Sequence, residues 1–309
     1  METVSSIPVF ARKNVAYAGA TLCCLLWGSS YPAIKSGYAL FAIATDDIPS
    51  KIVFAGYRFL FAGLLLLLFA MAQRKPIARL SQRQYGQIAF LGLTQTSIQY
   101  IFFYIGLAFT TGVKGSIMNA TGTFFSVLLA HLIYKNDRLS YNKSIGCVLG
   151  FAGVMLVNVN HSLLDFSFSA MGDGFVVLAA FILSASMLYG KRISQTVDPT
   201  VMTGWQLAFG GGVLVLGGYL TGGTLVVPDV KAAALLGYLT LLSSIAFALW
   251  SVLLKYNRVS MIAPFNFVIP VAGTVLSAIF LGENILEMKY AIALVLVCSG
   301  IWWVNKPKA

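Results

Sequence analysis

Gly56-Tyr57-Arg58-Phe59-Leu60-Phe61-Ala62-Gly63 returns 148 residues later (204 − 56) as Gly204-Trp205-Gln206-Leu207-Ala208-Phe209-Gly210-Gly211. Glycine, aromatic, polar residue, phenylalanine and glycine recur at the same spacing inside apolar segments. A duplicated membrane segment marks a carrier built from two structural repeats, with its binding site between them.

The composition around that repeat makes lipid the solvent. The chain is 58% hydrophobic and 10% charged, with a mean hydropathy of +0.83. A soluble domain carries roughly 25% charged residues. No cleavable leader is expected, because Arg12 and Lys13 precede a long apolar segment without a clean small-residue cleavage site. Cys23, Cys24, Cys147 and Cys298 fall inside apolar segments and read as reduced core residues, not as a metal site.

Segments near 15–37, 51–72, 84–109, 112–134, 142–159, 172–192, 200–220, 231–256, 259–281 and 286–304 are long enough to cross a bilayer as helices, at roughly 20 residues each. Thr111-Gly112-Val113 and Asn257-Arg258 punctuate runs too long for one helix. One set of loops and termini collects Arg12, Lys13, Arg74, Lys75, Arg79, Arg83, Lys135, Arg138, Lys143, Lys191, Arg192, Lys255, Arg258, Lys306 and Lys308, fifteen of the 21 basic residues. That face is expected to be cytoplasmic, with both termini on it, in the plasma (inner) membrane. The net charge of +11 is thereby explained by orientation and anionic headgroups, not by nucleic acid.

The duplication extends along the chain, with 15–159 as a first five-helix repeat and 172–305 as a second. Gly115 to Asn158 aligns with Met261 to Asn305, so that Asp137 faces Glu283 and Gly153 faces Gly300. Five is odd, so the second repeat must enter the membrane upside down relative to the first. The expected fold is an all-α membrane protein of ten transmembrane helices in two inverted five-helix repeats.

Leu26-Trp27-Gly28-Ser29-Ser30-Tyr31 through Lys35 resembles the first-span signature of EamA-type transporters of the drug/metabolite transporter superfamily. Tyr57-Arg58-Phe59 resembles that family's second span. Leu281-Gly282-Glu283, followed by a span ending Gly300-Ile301, resembles the closing part of the same domain. The likeness covers nearly the whole chain as two copies. It implies ten helices, a central cavity and transport of small metabolites, often amino-acid efflux in bacteria. The second copy departs from the first: Gln206 replaces the arginine, and Ser184-Ala185 stands where Trp27-Gly28 would be.

Several polar residues are candidates for the cavity. Arg58 lies about seven residues into its span, roughly 10 Å deep. A charge there costs at least ~2.5 kcal/mol and must face protein or water. It is either a contact for a substrate carboxylate, a gate partner, or a clamp onto backbone carbonyls or Asp46 or Asp47. Because the family pattern carries arginine here whatever the substrate, the resemblance favours the clamp. Gln206 is its uncharged mirror. Trp27 and Tyr31, four apart, form one aromatic face, with Ser30 offering a hydroxyl. Gln95 and Gln99 share a face by the same spacing, and amides in hydrocarbon need partners or water. Trp250 offers an aromatic surface or simple packing. Asn119 with Thr123, and Asn266 between Pro264 and Pro270, form a repeat-related pair beside a proline bend. Asn266 either contacts the solute or caps the carbonyls that Pro270 frees.

The cavity is expected to draw on the first, third, fourth, sixth, eighth and ninth spans. His131 reads as a structural helix-end residue. No His/Asp/Glu cluster has metal-ligand spacing and no nucleophile elbow occurs, so neither an enzyme nor a bound cofactor is expected. No ring of like charges suggests a channel. The expected partners are a small-molecule solute and the bilayer, with proton or counter-substrate coupling open. The expected activity is export of amino acids or similar small polar metabolites, with efflux of drugs or amphipathic compounds as the alternative.

Overall fold

The computed structural model describes residues 8–110, 112–157, 168–281 and 288–306. Asn158, His161 and Glu283 lie outside them. Among the described residues the chain contains helices and turns and no strand. In chain order the helices are α1 (Lys13–Leu40), α2 (Ile48–Ala72), α3 (Gln82–Ala108), α4 (Gly112–Ile133), α5 (Tyr141–Val157), α6 (Ala170–Ile193), α7 (Pro199–Leu220) and α8 (Val230–Tyr256). The next, α9, runs in three pieces, Val259–Ile262, a 3₁₀ turn Ala263–Phe267, and Val268–Leu281; α10 is Met288–Asn305. Among the described residues five helices, α2, α3, α6, α7 and α8, are long and apolar enough to cross a membrane. Shorter apolar helices cover Met118–Ile133, Val259–Gly273 and Ala291–Asn305.

Three of the described aspartates open helices. Asp47, Asp198 and Asp229 each accept the N–H of a residue two or three positions on, opening α2, α7 and α8. Pro49 and Pro199 follow within the first turns, where a missing N–H costs nothing. Ser81 and Gln84 close a reciprocal capping box at α3. At the other end of α8, Lys191 Nζ reaches the orphan carbonyls of Leu254 and Asn257. Asp137, in the turn between α4 and α5, accepts from Lys143 Nζ at 2.8 Å and from the backbone N–H of Ser260 at 3.0 Å, in the first turn of α9. Burial pushes its carboxyl pKa up, but the hydrogen bonds from Lys143 and Ser260 outweigh burial and hold it below the ordinary carboxylate value.

Glycine sets the helix pairings. A Cβ on Gly63 would stand 2.2 Å from the Ala208 nitrogen, and one on Gly211 would stand 2.3 Å from the Leu60 nitrogen. Gly56 meets Val215 and Gly218 meets Val53, so α2 and α7 cross backbone to backbone in opposite chain directions. Gly146 against Gly300, and Gly153 against Val297, join α5 and α10 in the same antiparallel way. Gly28 against Ala272 with Tyr17 against Phe265 runs α1 parallel to α9. Gly122 against Ala180 with Tyr134 against Leu188 runs α4 parallel to α6. Gly19 against Leu253 with Gly37 against Leu235 sets α1 antiparallel to α8, and Gly106 against Val176 with Gly190 against Leu91 sets α3 antiparallel to α6. Leu64, Leu68, Phe69, Leu216 and Leu220 are exposed on the outside of the bundle, which suits lipid and not water.

Two helices depart from regular α geometry. Residues Leu93–Ile98 of α3 form a π turn. In α9 the 3₁₀ turn holds Pro264 and Asn266 and runs directly into the helix that contains Pro270. Both irregularities lie beside the cavity described next.

Candidate functional site

A cavity of about 500 Å³ lies inside the bundle, bordered by α1, α2, α3, α4, α6, α8 and α9. Trp27, Ser30, Tyr31, Lys35 and Tyr38 form a stripe along α1, and Gln99, Tyr100, Phe103 and Tyr104 form one along α3. Asn119, Thr123 and Ser126 face it from α4, Ser184 and Met187 from α6, Phe247 from α8, and Asn266 with Pro270 from α9. Arg58 enters from α2.

The lining begins near the middle of the bundle and runs toward the face where α1 and α3 end. On the other side, toward its start, α1 is closely packed against its neighbours. Ala16, Ala20, Cys23 and Cys24 of α1 meet Ala130, Leu188, Trp250, Leu253, Ile262 and Phe265 there. Small residues on α1 let the neighbouring helices close over it. The cavity thus ends on a floor where the Trp27 ring meets Phe247 edge-on, with centroids 5.4 Å apart.

Arg58 is 3% exposed and donates from Nε to Ser243 Oγ at 2.7 Å. Its guanidinium also lies 5.0 Å from the centre of the Phe59 ring. Its hydrogen-bond partner is therefore a hydroxyl of α8, and Asp47 is occupied with the α2 N-terminus. Gln206 repeats the arrangement on the other side of the α2–α7 crossing, donating from Nε2 to Thr96 Oγ1 of α3. It lies among buried residues and off the cavity wall.

Of the sequence candidates, Trp27, Ser30, Tyr31, Arg58, Gln99, Asn119, Thr123, Asn266 and Pro270 stand together on the wall. Gln95 and Trp250 do not. The π turn carries Gln95 off the wall into buried surroundings, because a turn of i→i+5 bonds no longer stacks residues four apart. Trp250 sits behind Trp27, rings 5.1 Å apart, and supports the floor instead of forming it. Asn266 Oδ1 is buried without a hydrogen-bond partner, like Gln99 Oε1 and Thr123 Oγ1. His131 accepts the Leu139 N–H at 3.0 Å and ties down the α4–α5 turn.

Sequence reasoning missed Lys35, Tyr38, Phe103, Tyr104 and Phe247 on the wall. The signal was present. Trp27, Tyr31, Lys35 and Tyr38 continue one helical stripe, as do Gln99 and Phe103 with Tyr100 and Tyr104. Entry of α2 through Arg58 adds a seventh helix to the expected six.

Comparison with known proteins places this arrangement. The model of the EamA-like transporter family matches residues 14–159 and again 170–306. A protein of Archaeoglobus fulgidus described as an uncharacterized transporter is 26% identical over 266 residues, covering 84% of this chain and 87% of that protein. A Salmonella typhimurium protein described as a probable amino-acid metabolite efflux pump is 25% identical over 295 residues, 92% of each chain. A solved crystal structure at 18% identity superposes with a TM-score of 0.80 over 94% of this chain and 96% of its own, a likeness of fold alone.

Proposed function

The chain belongs to the EamA-like transporter family, and from that premise we propose that it exports amino acids or similar small polar metabolites by alternating access. The observation that carries this reading is the cavity itself. Its volume of about 500 Å³ falls in the usual range for small-ligand sites, and amides, hydroxyls and aromatic rings alternate on its wall. The name of the Salmonella relative supports the solute class.

Two inverted five-helix repeats, 15–159 and 172–305, supply the mechanism. The helix pairings support them: exchanging each helix for the one five places along turns the α1–α9 pairing into α6–α4 and α1–α8 into α6–α3, and maps α2–α7 and α5–α10 onto themselves. The contact registers are those expected if successive helices alternate in direction, as ten crossings require. Both ends of the chain then lie on the face rich in Lys and Arg, which is the cytoplasmic one in the plasma membrane. The cavity faces outward and the packed cluster around Cys24 and Leu253 is the closed inner gate. Exchange of conformations between the repeats opens that gate and seals the outer side.

The aromatic floor of Trp27 and Phe247 favours an amphipathic solute as the second reading. Efflux from proteoliposomes loaded with each amino acid, with and without an imposed pH gradient, tests both. Selective efflux of one or a few amino acids supports the first and shows whether protons drive it. Efflux of amphipathic compounds alone, from folded protein, refutes it.

A further inference from the structure

Arg58 is a buried cation whose charge the protein leaves largely unanswered. One of its five N–H donors is used, by Ser243 Oγ. That acceptor is a neutral hydroxyl. The Nη groups have no hydrogen-bond partner among the described residues, and the side chain lines the cavity. No aspartate or glutamate stands on the described wall. Tyr38, Tyr100 and Tyr104 share that wall and bring phenol hydroxyls to it, not carboxylates.

The wall offers much less to a positive charge. Gln99 Oε1 and Asn266 Oδ1 are buried acceptors without partners, and Thr123 Oγ1 is an unpartnered hydroxyl that can accept or donate. Such dipoles receive an N–H or an O–H alike. The two ends of a solute therefore meet unequal recognition: a fixed full charge for an anion, and dipoles for whatever lies opposite. A guanidinium fork held at Nε matches a carboxylate with two parallel N–H···O bonds, and such charge-assisted bonds are about twice as strong as neutral ones. Arg58 is also preorganised, because Ser243 and the Phe59 face fix its plane.

Resting on the transport reading above, we infer that the carrier recognises its solute by a carboxylate bound to Arg58, and that an ammonium group is dispensable. The solute class is then carboxylates with an uncharged hydrogen-bonding or ammonium substituent opposite, and it excludes organic cations. Ser243 is the positioning residue for the arginine.

The test uses three matched compounds for each of a methyl, an isobutyl and a benzyl side chain: the amino acid, its 2-hydroxy acid and its amide. Binding to the detergent-purified carrier is read by thermal shift and by competition in proteoliposomes. The hydroxy acid is expected to bind within ~10-fold of the amino acid, and the amide at least ~100-fold more weakly, the usual loss when a buried charge pair loses one member. Arg58→Lys keeps part of the preference for acid over amide, and Arg58→Gln abolishes it. A purely structural arginine would lower the melting temperature in Arg58→Gln yet leave that preference unchanged, which overturns the inference. So does an amide that binds as well as its acid, or the absence of any response to all the carboxylates. Binding of amino acids without their hydroxy acids also overturns it while leaving amino-acid export standing. Transport of hydroxy acids without amino acids does the reverse.

Discussion

Replacing Gly63 by alanine tests the α2–α7 crossing directly. The new Cβ would lie 2.2 Å from the Ala208 nitrogen and 2.5 Å from the Gly204 oxygen. Ordinary contact begins near 3.4 Å, so the helices must part by about 1.2 Å (3.4 − 2.2) at that point. The atoms met are backbone, so no rotamer change relieves the clash. A radial gap of ~0.5–1 Å already forfeits a quarter to a half of each dispersion contact along the seam. Overpacking of this kind costs ~1–3 kcal/mol. Alanine also improves helix propensity by ~1 kcal/mol, which masks part of the loss.

Gly212→Ala removes that ambiguity, because nothing lies within 4 Å of the methyl it would add. The three glycines in a row face three surroundings: Gly210 meets Gly92 of α3, Gly211 meets Leu60 of α2, and Gly212 meets open space. Comparing alanine variants cancels the propensity gain. Gly63→Ala and Gly211→Ala should therefore be ~1–3 kcal/mol less stable than Gly212→Ala. Equilibrium unfolding of the purified carrier in mixed micelles, followed by helical circular dichroism, reads the difference. If all three variants unfold together within ~0.5 kcal/mol, the backbone-to-backbone crossing is not where the structure places it.

Ser243→Ala removes the hydroxyl that accepts from Arg58 and should cost ~1.5–3 kcal/mol by the same unfolding assay; an unchanged midpoint would refute the clamp. Asp137 has a pKa lowered in the folded chain, so its contribution is full above the unfolded value near ~3.9 and is lost as pH falls through that value toward the folded one. Asp137→Asn should flatten the acid limb of stability against pH, and an acid limb identical to that of the parent would refute the assignment. A single cysteine at Phe168, which is exposed, should react with a membrane-impermeant maleimide from outside intact cells; labelling from the cytoplasmic side alone would overturn the orientation. Trp27→Ala should weaken solute binding more than Trp250→Phe, because Trp27 faces the cavity and Trp250 stands behind it; equal losses would contradict that layering.

Much of the architecture was legible before any coordinates. Apolar runs of membrane length follow from the need to satisfy every backbone group within one helix. The doubled Gly-aromatic-polar pattern pointed to α2 and α7, and those helices meet through Gly56, Gly63, Gly204 and Gly211. Candidate polar residues were legible because an amide or guanidinium inside an apolar run has few tolerable surroundings. Nine of the twelve residues singled out stand on one wall.

What sequence spacing could not decide was anything that required the helix to stop being regular, or two distant segments to meet. Gln95 and Gln99 share a face only on an α-helix, and the π turn at Leu93–Ile98 separates them. Arg58 had Asp46 and Asp47 nearby in the chain, yet its partner is Ser243, 185 residues away. Trp250 carries the same ring as Trp27 but stands one layer back, since rank in a packed layer depends on which helix is nearer the cavity. Which end of the cavity is sealed also came only from packing, through the small residues of α1 closing on Leu253 and Phe265. Periodicity determines which residues can share a face; the close packing of all the helices together determines what that face meets.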